Sequence, residues 1–196
     1  APNIYEGELV EMMPGLTATP VHPELPPRLE YGSVAIRELV LLASLVQWLQ
    51  PEKVLEVGTF QGLTTLNLAR HLPPDGSLTT VDLPPGQTPS LAADGWNERL
   101  FPGEDNRRQF FEPARDDIRT VREDTAHLGP EELGTGYELI FIDGSHNAPY
   151  VKNDTELARS VAAPEAVLVW HDFASVGHWP AVSEHLHRWS RNGELY

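Results

Sequence analysis

Cysteine is absent from the 196 residues, which excludes disulfides and thiolate metal sites and is compatible with a reducing compartment. Basic residues are scarce: 14 Lys and Arg stand against 29 Asp and Glu, a formal net charge of -15. Such a chain repels nucleic acid and anionic membrane surfaces unless its cations cluster, and pairs such as Arg107-Arg108 are too sparse for that. Long hydrophobic runs are also missing. Nothing approaches the ~20 apolar residues that span a bilayer, and the first residues lack a signal-peptide pattern. The expectation is a soluble cytoplasmic protein acting on a small molecule, with neither nucleic acid nor membrane as partner. The length suits one domain that buries a central sheet between helical layers.

Proline is plentiful at the start. Pro2, Pro14, Pro20, Pro23, Pro26 and Pro27 forbid a continuous helix, so residues 1–33 read as an extended arm or lid ahead of a domain over 34–196. From Val34 to Leu49, the positions Ile36, Leu39, Val40, Ala43, Val46 and Leu49 recur every three or four residues, an amphipathic helix that Gln50-Pro51 ends. Lys53–Val57 reads as a buried strand, Leu63–His71 as a helix and Ser77–Val81 as the next strand after the turn Pro73-Pro74-Asp75-Gly76. Ile118–Arg122, Glu138–Ile142 and Ala166–Trp170 supply three further strands, with a helix over Val151–Val161. Alternating strands and helices predict an α/β fold with a mainly parallel sheet covered on both faces. The stretch from Pro84 to Pro113, with Trp96, Phe101, Phe110 and Phe111, is an insertion placed either to shape a pocket or to form its own small core.

Val54-Leu55-Glu56-Val57 runs directly into Gly58-Thr59-Phe60-Gln61-Gly62 and then a helix. Glycines at such a turn let backbone approach a ligand and a helix start offers unpaired N–H groups, although they also serve a tight strand-to-helix connection alone. A complete G-x-G-x-x-G is lacking, and Glu56 would oppose a pyrophosphate while attracting an amino or sulfonium cation. Asp82 ends the second strand, where a carboxylate can accept both hydroxyls of a ribose. Together these point to a nucleoside ligand carrying positive charge.

With Leu55-Glu56-Val57-Gly58-Thr59-Phe60-Gln61-Gly62-Leu63-Thr64-Thr65, then Val81-Asp82, then Phe141-Ile142-Asp143-Gly144-Ser145-His146, the sequence resembles the class I S-adenosylmethionine-dependent methyltransferases. It is most similar to the subgroup that includes relatives of macrocin and cephalosporin O-methyltransferases, over roughly Leu39 to Asp172. The resemblance implies a Rossmann-like doubly wound sheet of order 3-2-1-4-5, completed by an antiparallel edge strand or strands. It implies Glu56, Gly58 and Gly62 near the methionine part of S-adenosylmethionine, with Thr59 and Thr64 in the same motif, and Asp82 on the ribose. Asp124 and Thr125 fall in the region similar to the adenine contact, or else form a solvated strand-end turn.

Asp143 and Asp172 each follow an apolar strand. If those strands are parallel neighbours their ends lie about 5 Å apart, on the edge where open α/β sheets bind ligands. Two carboxylates there can share a divalent cation, or each can cap its own turn. His146, three residues beyond Asp143, can reach the same cleft and take a proton from a hydroxyl, since free imidazole titrates near pH ~6.5. The resemblance implies that Asp143 and the pair after the fifth strand hold the metal and that His146 is the base. That pair is His171-Asp172 here, where the family pattern has two acids, so His171 stands as third ligand to an ion that the family pattern makes Mg²⁺. His178, His185 and His187 have no comparable motif.

The expected reaction is direct displacement of the sulfonium methyl by a hydroxyl of a sugar or other secondary metabolite. The rivals are metal-independent N- or C-methyl transfer and a cofactor-binding protein without turnover. Gly193-Glu194-Leu195-Tyr196 reads as the start of a strand without the rest of the expected edge pair. That predicts either a missing last strand or one supplied by a homo-oligomer partner.

Overall fold

The computed structural model describes residues 11, 13–25, 33–91, 116–173 and 180–192. Its centre is five strands: β1 (Lys53–Val57), β2 (Ser77–Asp82), β3 (Ile118–Arg122), β4 (Tyr137–Ile142) and β5 (Ala162–Trp170). Their order is β3-β2-β1-β4-β5 and every pairing is parallel. This is the Rossmann-like order expected from the motifs. The antiparallel edge strand is not among the described residues, and residues 193–196 lie outside them.

Alternation along the central strands explains the two helical layers, because successive side chains point to opposite faces. Val54, Leu78, Leu139 and Phe141 meet Leu39, Leu42 and Val46 of α1 (Ile36–Leu49) and Leu63, Leu68 and Ala69 of α2 (Leu63–Arg70). On the other face Leu55, Val57, Val81, Ile140 and Ile142 meet Leu133 of the short α3 (Pro130–Leu133) and Leu157, Ala158 and Val161 of α4 (Ala148–Val161). A last helix, α5 (Pro180–Arg191), sets Val182 and Leu186 against Val151 of α4 and against Trp170 and Phe173. No helix among the described residues is long and apolar enough to cross a membrane.

Several boundaries differ from the pattern-based ones. The fourth helix starts at Ala148, three residues early, because Pro149 sits in its first turn, where a missing N–H costs nothing. β5 starts at Ala162, directly after α4, and carries Pro164 in a stretch where its register with β4 shifts between Tyr137 and Leu139; an irregular edge strand is where proline is tolerated. Residues 13–25 of the Pro-rich segment lie on the first helical layer. Leu16 is buried, Trp48 Nε1 donates to Pro14 O (3.3 Å), and the Asn67 side chain pairs with Glu24 N (2.8 Å) and Glu24 O (3.0 Å). Pro26, Pro27 and the aromatic insertion residues Trp96, Phe101, Phe110 and Phe111 fall outside the described residues.

Candidate active site

All the candidate residues collect at the carboxyl ends of the strands because the ladder continues past each strand into its turn. Gly58 N bonds Val81 O (2.9 Å), Asp143 N bonds Val57 O (2.8 Å), His171 N bonds Ile142 O (2.9 Å) and Glu123 N bonds Asp82 O (3.2 Å). Backbone register thus aligns the turns after β1, β4 and β5 in one row. Gly58 has φ 98°, and a Cβ placed on it would stand 2.1 Å from Asp143 O, so the turn after β1 packs on the backbone that carries Asp143. Gly62 caps α2 at φ 84°, a conformation glycine adopts without strain.

Glu56 is fully buried on β1. Its Oε2 accepts from the hydroxyls of Thr65 (2.5 Å) and Thr80 (2.6 Å), while Oε1 has no hydrogen-bond partner. Burial is the main reason its pKa rises to about 8; the two threonines oppose the rise and the charges of Asp143 and Asp82 add to it. A buried carboxyl with an unpaired oxygen beside two further acids suits a cationic ligand group. Thr59 is buried with its hydroxyl 2.5 Å from that of Thr80, and Thr64 is buried in the first turn of α2. Thr59, Phe60 and Asp82 line a small cleft with Leu83, Pro85, Thr120 and Arg122. Gln61, in the same turn, buries an amide oxygen with no partner.

Asp124 and Thr125 lie farther along this edge. Both Asp124 oxygens receive the Tyr150 hydroxyl (2.8 Å), and the carboxylate also accepts from Ser90 N (2.7 Å) and Ala126 N (3.0 Å). These donors outweigh burial and hold its pKa below the ordinary value. Thr125 donates to Asp154 Oδ1 (2.6 Å). Asp124 therefore folds the turn and ties down the loop after β2 with a carboxylate spent on protein donors.

At the ends of β4 and β5, Asp143, His146, His171 and Asp172 each offer a ligand atom within 4.8 Å of the others. His171 Nδ1 is 3.1 Å from both Asp143 Oδ1 and Asp172 Oδ2, buried, and aligned for a hydrogen bond to neither. Two carboxylates and two imidazole nitrogens converging this closely fit a cation. Asp172 reaches inward from a left-handed backbone, φ 57°, a conformation Asp tolerates better than most residues. Burial works against a charge on His171, yet its contacts with Asp143, Asp172 and Glu38 prevail and raise its pKa to about 12. Burial pushes Asp143 up, whereas for Asp172 the contacts with His146 and His171 overcome burial and pull its pKa down. His146 Nε2 lies 2.7 Å from Asp172 Oδ2 and 3.9 Å from Asp143 Oδ1.

Glu38, in the first turn of α1, was not singled out by any motif, yet its Oε2 is 3.5 Å from His171 Nε2. Only the packing of α1 against the sheet brings it there.

Residues 55–173 match the family described as Methyltransferase domain, and the chain belongs to that family, with the fold and motifs of a class I S-adenosylmethionine-dependent methyltransferase. Among curated proteins it is similar to Catechol O-methyltransferase B of Danio rerio, at 34% identity over 118 residues, 60% of this chain and 40% of that protein. Among solved structures it is similar to TomG, an O-methyltransferase of Streptomyces achromogenes involved in tomaymycin synthesis and solved with S-adenosylmethionine (TM-score 0.58, 22% identity, 83% of this chain, 70% of that one). It also resembles the methyltransferase PaMTH1 of Podospora anserina, solved with S-adenosylhomocysteine (TM-score 0.62, 12% identity, 98% and 88%). At these identities the two structures establish the fold.

Proposed function

We propose that this chain transfers a methyl group from S-adenosylmethionine to a hydroxyl of a small-molecule acceptor, a sugar or other secondary metabolite, with help from a divalent cation. The observation that carries the reading is the convergence of Asp143, His146, His171 and Asp172 beside the turn of β1 that packs on Asp143. Glu56, with its unpaired oxygen, faces the cationic methionine end of the cofactor. Thr59, Thr64 and the turn glycines Gly58 and Gly62 shape that end, Asp82 takes the ribose hydroxyls, and the turn built by Asp124 and Thr125 borders the adenine. Asp143, Asp172 and His171 hold the cation. When bound, the cofactor supplies an electrophilic methyl and the cation polarises the acceptor hydroxyl. His146 removes the hydroxyl proton, and Asp172 at 2.7 Å stabilises the imidazolium so formed. The similarity to a catechol O-methyltransferase supports oxygen as the methylated atom, and the net charge of -15 supports a partner that is neither nucleic acid nor membrane.

A second reading keeps the transfer without a metal. The same His146–Asp172 contact makes a base–carboxylate pair able to act alone. Chelation followed by addition of Mg²⁺, Mn²⁺ or Co²⁺, with S-adenosylhomocysteine release measured over catechols, sugars and hydroxylated polyketides, separates the two. Loss on chelation and recovery on addition is the expected outcome. Full turnover in thoroughly chelated protein would leave the metal-free pair, and no release with any acceptor would leave a cofactor-binding protein.

A further inference from the structure

The cation site has a neighbour that its ligand set does not include. Glu38 stands on α1, in the opposite direction from the carboxylates of Asp143 and Asp172, and meets the far nitrogen of the His171 ring: Glu38 Oε2 to Nε2 is 3.5 Å, while Nδ1 is 3.1 Å from each of the other two carboxylates. The ring also packs edge-on to buried Phe141, with centroids 6.2 Å apart and planes at 74°, which limits its rotation. An imidazole that donates N–H from one nitrogen presents the lone pair of the other, and a carboxylate behind a ligating histidine selects the tautomer and aims the ring. Here the carboxylate behind is Glu38 and the nitrogen in front is Nδ1.

Building on the cation reading above, we propose that Glu38 is a positioning residue that presents Nδ1 of His171 to the metal, and that this nitrogen donor makes the site favour a borderline transition ion such as Mn²⁺, Co²⁺ or Zn²⁺ over Mg²⁺. Mg²⁺ takes oxygen ligands and is reluctant to accept nitrogen, whereas imidazole beside carboxylates suits the transition ions. The geometry supports this: Nδ1 is the nitrogen that lies 3.1 Å from both Asp143 Oδ1 and Asp172 Oδ2, on the side where the other two ligands converge.

Glu38 has one other job. Its Oε2 accepts from Ala35 N (2.9 Å) at the start of α1, where Ala35 offers no side-chain cap. The two roles separate experimentally, because Ala35 has the extended backbone of an N-cap, φ -66° and ψ 151°, and Ala35→Ser supplies a cap of its own. Co²⁺ is titrated into the full chain and followed by calorimetry and by its visible ligand-field absorption, with Mg²⁺ as competitor. Glu38→Ala, and Glu38→Ala combined with Ala35→Ser, should both weaken Co²⁺ about 10–100-fold, as for a lost partner of a metal-bound histidine, and shift the absorption. Glu38→Gln, which keeps an acceptor, should recover most of the affinity. His171→Asp should narrow the preference for Co²⁺ over Mg²⁺. Wild-type affinity in the Ala35→Ser, Glu38→Ala double variant would reduce Glu38 to a helix cap, and an unchanged ion preference in His171→Asp would overturn the selectivity. Wild-type protein that bound neither ion would remove the cation reading itself, and this inference with it.

Discussion

Glu56 is fully buried with no positive partner among the described residues, and burial pushes its pKa up to about 8. The folded pKa lies above the ordinary 4.5, so the protonated form is the favoured one in the fold. The penalty for ionising it is absent below about pH 4.5, grows as pH rises and is complete above about pH 8. Glu56→Gln keeps an acceptor for Thr65 and Thr80 and removes that penalty. Urea denaturation at pH 5 and pH 9 should show the variant gaining on wild type as pH rises, by a few kcal/mol at ~1.4 kcal/mol per pKa unit; a constant difference would mean that Glu56 ionises freely. Asp82 lines the cleft beyond β2, and the proposed function gives it the ribose hydroxyls. Asp82→Ala should weaken S-adenosylmethionine by roughly 1–3 kcal/mol with little change in melting temperature, and calorimetry showing wild-type affinity would take Asp82 out of the site.

The turns after β1 and β4 are one unit. Gly58→Ala would drive a methyl into the Asp143 carbonyl, 2.1 Å from the Cβ position, on a backbone at φ 98°, and neither neighbour is a flexible side chain that can swing away. The variant should lose cofactor and metal affinity together and melt earlier by several degrees, in the range of a ~2–4 kcal/mol strain. Separate titrations of the two ligands would show whether they fall in concert. This coupling explains what was readable in the sequence and what was not. The apolar runs of β1 and β4 and the motif turns are local signals that locate the strands, while the sheet order was legible only through the family resemblance those motifs carry. α5 leaves a weaker trace: Val182, Leu186 and Trp189 recur at four and three residues, but His185, His187 and Arg188 dilute the pattern. Pro149 and Pro164 disguised the beginnings of α4 and β5. Glu38 was beyond reach, since its meeting with His171 spans two elements far apart in the chain. That Gly58 packs on the Asp143 backbone is likewise a tertiary fact.

Over the whole chain, the sheet has two edges, β3 and β5, without an outer strand neighbour among the described residues. The side chains of β5 are only partly buried. Uncovered strand edges invite pairing, so if a second copy shields β5, light scattering should return a mass above the 21.8 kDa of one chain; a stable monomer at high concentration would discard that pairing. The amino-terminal segment raises a different matter. Leu16 is buried, Asn67 holds the Glu24 backbone by both its amide nitrogen and oxygen, His71 accepts from His22 N at 3.2 Å, and Arg70 pairs with Glu24 at 3.2 Å. Residues 13–25 therefore carry their own docking code onto α1 and α2. Cut from the chain and supplied as a free peptide, they would be a complementing fragment, and the stability of the remainder would then rise with the peptide's concentration.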